Sequence, residues 1–281
     1  MFRHAAPARL LLHVANLAVI AAILLPVVAV MIGSIQSEKA LQADTRRVLP
    51  LEFTLDNFVV ILTQGEQKGR IFEQATYLPD NIKKFYRAFA NSLIVASSVT
   101  LLTLLFGSLS AYTVARLRFR WTLFLMQANI VSRFVPAIVL MIPLYIVIRS
   151  FGQLNTLQGV ILAPYFDAIP SELEEAARID GCTRFSAFFH IILPLATPAM
   201  AACGVIMFIV SWHELLIPLI LNARPDFMTL PVVIASLVGD VFVFFNLMMA
   251  ICLLALAPTV ILVVLLQKYI VEGLAAGAVK G

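Results

Sequence analysis

Long apolar runs dominate the chain and are separated by shorter polar segments. Five runs are long enough to cross a bilayer, at residues 10–32, 91–115, 122–148, 198–221 and 242–266. A spanning helix needs about 20 mainly apolar residues, because a helix rises about 1.5 Å per residue and the hydrocarbon core is about 30 Å thick. The pattern therefore predicts an all-α integral membrane protein.

The first run follows Arg3 and Arg9, as the apolar core of a secretory signal would. It is longer than the roughly 7–15 apolar residues of such a core, so we expect an uncleaved first helix. Between the second and third runs the chain is basic and carries no acidic residue. Short basic loops stay in the cytoplasm, which predicts a cytoplasmic N-terminus and an external polar region at 33–90.

One expected crossing is short. The third span should exit outside near Ser150, but the next apolar segment, 157–166, supplies only about half a bilayer thickness. The polar segment that follows, 167–194, nevertheless has the character of a cytoplasmic loop. Three explanations compete: a stretch omitted from the sequence, a genuine deletion, and a re-entrant half-helix, which is tolerated only where protein or water covers its backbone. We favour an omission or a deletion.

The segment 167–194 contains the most specific pattern. Ser171 and Glu174 form a capping box that begins a helix, and Gly181 suits the left-handed conformation that ends one. A second short helix is predicted before Pro194, so two helices joined by a bend would project from the membrane. They would either dock on a soluble partner or lie on the bilayer surface. Interfacial helices prefer Lys and Arg on their polar face, whereas this segment is acidic, which favours a protein partner.

The same segment is similar to the EAA loop of binding-protein-dependent ABC importer permeases. The matching positions, in order and with the family's spacing, are Glu175, Ala176, Ala177, Gly181, Ile191, Leu193 and Pro194. Stretches within 91–120, at 211–214 and at 273–281 resemble the MalG-like sugar permeases of that group, and the resemblance covers nearly everything from about residue 85 onward. It implies a single MetI/MalG-like transmembrane domain over 1–281, with nominally six helices, one of them truncated here.

The resemblance also implies roles for particular residues. In the family the EAA loop is the coupling helix that sits in a cleft of the ATPase, which assigns ATPase coupling to Glu174, Glu175, Ala176, Ala177, Asp180, Gly181, Leu193 and Pro194. A cytoplasmic C-terminal tail, 267–281, would reach the ATPase through Gly277, Val279, Lys280 and Gly281. A periplasmic loop that probes the solute-binding protein would be 222–231, with Asn222, Pro225 and Asp226 as its site residues.

Polar residues inside the spans are candidates for the translocation path. Arg133 lies well inside the third span, and Glu214 is a candidate counter-ion for it. A charge in hydrocarbon usually faces a cavity or a partner, although an Arg side chain also reaches water by its length. Trp212 and His213 offer a stacking face and a polar edge suited to a sugar, and Asn246 is a further candidate. A structural ion pair and helix–helix hydrogen bonds are the open alternatives.

Composition narrows the chemistry. The 281 residues are 61% hydrophobic and 13% charged, and the net charge of +4 fits basic residues at helix ends, so no nucleic-acid partner is predicted. Cys182, Cys203 and Cys252 are odd in number and widely spaced, which predicts neither a disulfide framework nor a metal site. The chain lacks the Gly-x4-Gly-Lys-Ser/Thr phosphate loop. We therefore expect no enzyme and no bound cofactor in this chain, with ATP and Mg²⁺ on a partner ATPase.

These features predict a permease subunit of an ATP-driven, binding-protein-dependent importer in the cell (inner) membrane, for a sugar, oligosaccharide or polyol. The partners implied by the resemblance are a homologous second permease, a homodimeric ABC ATPase, an extracytoplasmic solute-binding protein and membrane lipid. Two other functions stay open. One is an ion-coupled secondary transporter that uses Arg133 and Glu214 near the midplane. The other is a membrane scaffold whose acidic loop recruits a soluble protein.

Overall fold

Helices make up the regular structure of the chain wherever the computed structural model describes it. The described residues are 6–37, 53–65, 80–116, 134–150, 193–222, 224–238 and 244–278, with residues 124, 127 and 131 in addition. The helices are α1 Ala6–Ser34, α2 Asp56–Leu62, α3 Phe85–Arg116, α4 Ala137–Ser150, α5 Thr197–Trp212, α6 Leu216–Leu221, α7 Leu230–Ala235 and α8 Phe245–Ala278. Short 3₁₀ helices at Asp80–Lys84 and Pro225–Phe227 precede α3 and α7, and a helical turn at Leu193–Leu195 precedes α5. The predicted all-α fold class is confirmed.

Three described helical stretches are long and apolar enough to cross a membrane. They are Leu10–Ser34, Ile82–Leu109 and Phe245–Val271, with mean hydropathies of 2.7, 2.0 and 2.9. Many of their large apolar side chains are exposed in the single chain, such as Leu11 and Leu25 of α1 at 73% and 69%. Apolar surface of this extent is typical of helices that face lipid or another subunit. The predicted spans 10–32, 91–115 and 242–266 fall on or largely on α1, α3 and α8.

Two other predicted spans are interrupted. Within 122–148 the chain bends at 134–136, and α4 begins only at Ala137. Pro136 explains the position of this break: it lacks an N–H, and its carbonyl oxygen accepts a 2.9 Å bond from the Val139 N–H as a new helix starts. The span 198–221 is divided between α5 and α6 at residues 213–215.

The last helix extends beyond the predicted span 242–266. Helix α8 contains 34 residues and continues without a break to Ala278, so the described part of the predicted tail 267–281 is helical. The three alanines in its last four residues favour the helix, and no proline interrupts this end. Pro258 lies inside α8, so the ring is accommodated within a continuous helix.

The described chain falls into two compact units, and the first comprises Met1–Lys83 and Ile234–Leu256. Asn57 of α2 makes buried hydrogen bonds that join parts of this unit. The Asn57 Nδ2 donates to the carbonyl oxygens of Ser34 (2.7 Å) and Gln36 (2.9 Å), where α1 ends. The Asn57 Oδ1 accepts a 2.8 Å hydrogen bond from Asn246 Nδ2 at the start of α8. This buried amide pair therefore connects three helices within the unit.

The second unit comprises Lys84–Val233 and Ala257–Gly281 and is organised around α3. Helix α5 packs along α3 at Gly204, where a Cβ atom would lie 3.1 Å from Leu104 Cδ1. Such a small residue lets two helices approach closely. A buried apolar cluster then joins α3 to α4 and α6, and it consists of Val95, Val99, Ile148 and Leu221.

Candidate functional site

The loop 222–231, expected to meet a binding protein, is fastened to the first turns of α3. The Asn91 Nδ2 donates to the carbonyl oxygens of Asp226 (3.0 Å) and Met228 (2.9 Å). The Ser92 Oγ accepts a 2.7 Å hydrogen bond from the Leu230 N–H, where α7 begins. Asn91 and Ser92 are buried, so these bonds are shielded from competing water. The loop is thus part of the packed structure of its unit.

Contacts inside the loop fix its shape. The Asn222 Nδ2 donates a 3.0 Å hydrogen bond to the Phe227 carbonyl oxygen, and Asn222 is 1% exposed. Pro225 begins the 3₁₀ helix, for which its fixed φ is suitable. The Arg224 guanidinium carbon lies 5.4 Å from the centre of the Phe227 ring, within the range of a cation–π contact. The exposed tip is therefore formed before any partner arrives.

Ion pairs between Asp226 and two basic residues also hold the tip of the loop. The Asp226 Oδ1 lies 3.1 Å from Lys84 Nζ and 2.9 Å from Arg87 Nη1, and both basic residues belong to the start of α3 or the turn before it. The hydrogen bond and positive charge of Lys84, with a further contribution from Arg87, hold the pKa of Asp226 below its ordinary value. The carboxylate is therefore charged at physiological pH and binds both cations.

One candidate path residue, Glu214, has structural partners where α5 ends and α6 begins. The Glu214 Oε1 accepts hydrogen bonds from the N–H groups of Leu216 (3.0 Å) and Ile217 (3.2 Å), which the first turn of α6 would otherwise leave unpaired. A negative charge at this helix start is also favourable. The neighbouring His213 is exposed. Arg133, the suggested counter-ion of Glu214, lies outside the described residues.

The predicted sugar-stacking face of Trp212 is covered in this structure. The Trp212 side chain is 2% exposed, and its ring stacks on Phe208 with centroids 5.7 Å apart. Phe89 of α3 meets it edge-on at 5.5 Å. The ring is covered because Trp212 lies on the side of α5 that packs against α3. Trp212 therefore packs between helices instead of lining an open surface.

Asn246 also serves the packing of helices. It is fully buried; its Nδ2 bonds Asn57, and its Oδ1 accepts a 2.8 Å bond from the Leu247 N–H. The hydrogen bond to Asn57 joins α8 to α2, as the helix–helix alternative describes, and a role for Asn246 in the translocation path stays a prediction. Cys203 and Cys252 form no disulfide, and the described residues contain no group of His, Cys, Asp and Glu that could hold a metal ion.

Most of the predicted ATPase-coupling residues lie outside the described residues. This applies to Glu174, Glu175, Ala176, Ala177, Asp180 and Gly181, as well as to the tail residues Val279, Lys280 and Gly281. Leu193 and Pro194 lie in the helical turn that leads into α5, and the backbone of Gly277 lies in the last turn of α8. Their assignment to the ATPase contact stays a prediction.

Sequence reasoning missed the residues that anchor the loop 222–231. Lys84 and Arg87 were not assigned a role, and Asn91 and Ser92 were noted only for their family resemblance. The available signal was polarity: Lys84 and Arg87 precede a long apolar run that itself begins with an Asn-Ser pair. Their partners in the loop are more than 130 residues away in the chain, so no local pattern could have paired them.

Comparison with known proteins agrees with these observations. Residues 103–275 match the family described as binding-protein-dependent transport system inner membrane component. The chain is 34% identical to the sulfoquinovosyl glycerol transport system permease protein SmoH of Agrobacterium fabrum, over 68% of this chain and 72% of that protein. It is also 34% identical to the trehalose/maltose transport system permease protein MalG of Thermococcus litoralis, over 77% of this chain and 83% of that protein.

A third relative is the arabinooligosaccharides transport system permease protein AraQ of Halalkalibacterium halodurans, 32% identical over 83% of this chain and 81% of that protein. A chain in the crystal structure of a bacterial ABC transporter involved in the import of the acidic polysaccharide alginate superposes with a TM-score of 0.68 and 20% identity. That match covers 96% of this chain and 99% of the other, and it shows a shared fold. The chain belongs to the inner membrane components of binding-protein-dependent transport systems and is a permease of the ABC importer class.

Proposed function

We propose that this permease carries a sugar, an oligosaccharide or a polyol and is driven by a separate ABC ATPase. The observation that carries the ATPase assignment is the segment 171–194, whose Glu-Ala-Ala, Gly and Leu-Pro positions have the spacing of the EAA loop. The substrate class is supported by relatives that are named for sulfoquinovosyl glycerol, trehalose/maltose and arabinooligosaccharides.

The proposed mechanism has two points of contact. On the cytoplasmic side, closure of a homodimeric ATPase moves the bend through Glu175 and the adjacent alanine pair. On the external side, a solute-binding protein docks on the loop 222–231 and releases its solute to a pathway between this chain and a homologous permease. ATP hydrolysis, with its Mg²⁺, takes place on the partner, and the rocking of the two permeases alternates access to the two sides.

A bulky substitution tests the ATPase contact. In the assembled transporter, Ala177→Trp and Gly181→Trp should leave the permease in the membrane but release the ATPase, because a close helix contact has no room for an indole. Ala21→Trp is the matched control, since Ala21 lies on an exposed face of α1. Co-purification of the ATPase with each tagged variant is the measurement. Unchanged recovery of the ATPase with both variants would contradict the coupling assignment.

The proposed orientation is testable with single cysteines in a background that lacks Cys182, Cys203 and Cys252. Arg224→Cys in the loop tip should react with a membrane-impermeant maleimide added to intact cells, whereas Glu175→Cys should react only after the membrane is permeabilised. External labelling of Glu175→Cys in an active transporter would exclude the coupling role. The same result would mean that the crossing missing near 157–170 is a real feature of the chain.

Energy coupling separates this proposal from the ion-driven alternative. Uptake of a labelled sugar by the intact transporter should stop when the partner ATPase is inactivated and should persist, as long as ATP is maintained, when an uncoupler is added. The opposite pattern would favour a secondary transporter that uses Arg133 and Glu214. A panel of labelled sugars, polyols and amino acids, supplied with the cognate binding protein, identifies the substrate class.

A further inference from the structure

Helix α2 of the first unit carries apolar side chains on both its buried and its outward side. The buried side consists of Val60 and Ile61 together with Asn57, and none of the three is more than 1% exposed. The outward side begins with Leu55, just before the helix, and continues one turn later with the half-buried Val59. The outward side of a helix that faces water is usually polar, so an apolar outward side indicates another environment.

The outward apolar side extends along the chain in both directions from α2. Phe53 and Leu55 are 73% and 65% exposed, and Leu62 at the end of the helix is exposed as well. Leu62 follows Leu55 by seven residues, a spacing that returns to the same side of a helix. We name Phe53, Leu55, Val59 and Leu62 the apolar surface of α2. Exposed apolar surface that is continuous in this way is typical of a site of contact with a protein or a membrane.

Hydrogen bonds fix the apolar surface of α2 beside the end of α1. The Thr54 N–H donates a 2.8 Å hydrogen bond to the Ile35 carbonyl oxygen, directly after the last residue of α1. The Thr54 Oγ1 accepts a 3.1 Å bond from the Asp56 N–H, which holds the turn into α2. Phe53 and Leu55 are the two neighbours of Thr54 in the chain. Their backbone therefore lies at the level where α1 ends.

The end of α1 lies at the boundary of the bilayer. Its apolar stretch Leu10–Ser34 contains 25 residues, which corresponds to about 37 Å of helix. The hydrocarbon core is about 30 Å thick, and the bilayer with its headgroup regions is about 40–45 Å thick. A helix of this length that spans the core therefore ends among the headgroups. Exposed apolar side chains continue to this level, since Met31 in the last turn of α1 is exposed.

We propose that the apolar surface of α2 inserts into the phospholipid at the level where α1 ends, with Phe53 and Leu55 as its principal anchors. Aromatic and leucine side chains are favoured at this depth, where an apolar helix face enters the boundary between headgroups and acyl chains. The leaflet is the outer one in the orientation proposed above. The inference goes beyond the proposed function, because it requires only that α1 spans the membrane and it holds for any solute.

This contact gives α2 a role at the membrane surface. Asn57 joins α2 to the end of α1 and, through Asn246, to the start of α8. Lipid bound by Phe53 and Leu55 would therefore hold the ends of both spanning helices at one depth. The external segment around α2 then lies along the membrane surface instead of extending toward a soluble partner.

Nitroxide labels and electron paramagnetic resonance test the contact, because collisions with O₂ report lipid and collisions with a water-soluble nickel complex report water. Phe53→Cys and Leu55→Cys are labelled in an assembled transporter that is otherwise free of cysteine and is reconstituted in nanodiscs. Both labels should collide more with O₂ than with nickel and lie about 5–10 Å below the headgroup surface. Leu25→Cys on α1 and Arg224→Cys in the loop tip, both exposed, are the references for lipid and water.

Three other outcomes would overturn the proposal. More collisions with nickel than with O₂ at both positions would show that the apolar surface of α2 faces water. Few collisions with either reagent would assign this surface to contact with the second permease. Frequent nickel collisions that stop when the solute-binding protein is added would assign it to that protein. In each case the proposed function would stand.

A second measurement needs no spin label. In intact cells, the thiol of Phe53→Cys should react with a membrane-impermeant maleimide more slowly than the thiol of Arg224→Cys, because an apolar environment disfavours the reactive thiolate. Both positions are exposed in the single chain, so burial within the protein does not account for a difference. Equal reaction rates at the two positions would contradict insertion into lipid.

Discussion

The buried pair of Asn57 and Asn246 should be energetically coupled, and the coupling can be estimated from the hydrogen bonds. Asn57→Ala removes three bonds, to Ser34, Gln36 and Asn246. We expect the free energy of unfolding to fall by about 2–4 kcal/mol, because each bond contributes about 1 kcal/mol and buried carbonyl oxygens lose their donor. Asn246→Ala removes one bond between helices and should lower the free energy of unfolding by about 1–2 kcal/mol.

The double variant isolates the bond between the two amides. Because that bond is already lost in each single variant, the double variant should cost about 0.5–1.5 kcal/mol less than the sum of the two. The measurement is the free energy of unfolding of the purified chain in mixed micelles, from a denaturant titration followed by circular dichroism. Asn16→Ala, on an exposed face of α1, is the control and should change stability by less than about 0.5 kcal/mol.

Two results would refute this reasoning. The first is strict additivity, with a coupling energy within about 0.3 kcal/mol of zero, since residues that share no interaction behave in that way. The second is a larger cost for Asn246→Ala than for Asn57→Ala, because Asn57 makes more of the buried bonds. Either result would mean that the first unit is held chiefly by its apolar contacts, such as the one between Gly33 and Met249.

Three further predictions concern the second unit. Gly204→Leu should lower the free energy of unfolding by at least about 1–3 kcal/mol through overpacking against Leu104, whereas Gly204→Ala should change it by less than about 1 kcal/mol. Glu214→Ala should lower the free energy of unfolding by about 0.5–2 kcal/mol in the same assay. Glu214→Gln keeps an acceptor oxygen and should lower it by less. Equal losses for the two variants would contradict the capping role. Since the folded-state pKa of Asp226 is lowered, its bonds to Lys84 and Arg87 are fully present above its ordinary value of 3.8 and are lost as pH falls through the lower folded pKa. Limited proteolysis of the loop should therefore be constant between about pH 5 and 8, and loop opening near pH 6 would contradict this.

The sequence was sufficient for features that depend on local patterns. Apolar runs predicted the helices at α1, α3 and α8, because a membrane span is defined by length and hydropathy alone. The family resemblance predicted the permease class, and the match over 103–275 confirms it. The break between α5 and α6 was missed, because a single Glu within an apolar run gives no indication that its carboxylate will cap a new helix.

Residues that act through distant contacts were harder to assign. Trp212 and Asn246 were candidates for a sugar path, since aromatic and amide side chains suit sugar recognition. Hydropathy does not specify which face of a helix meets a neighbour, and the structure buries both against other helices. Lys84 and Arg87 were overlooked for the converse reason, because their role depends on Asp226, which is about 140 residues later in the chain.

Helix α3 has a mechanical property that its neighbours lack. It runs unbroken for 32 residues, about 48 Å, while the adjacent path through α5 and α6 is jointed at residues 213–215. Asn91, Ser92 and Lys84 tie the loop 222–231 to one end of this rod. A force applied to the loop would therefore tilt α3 as a rigid body. A tilt of α3 that begins at its opposite end would in turn displace the loop.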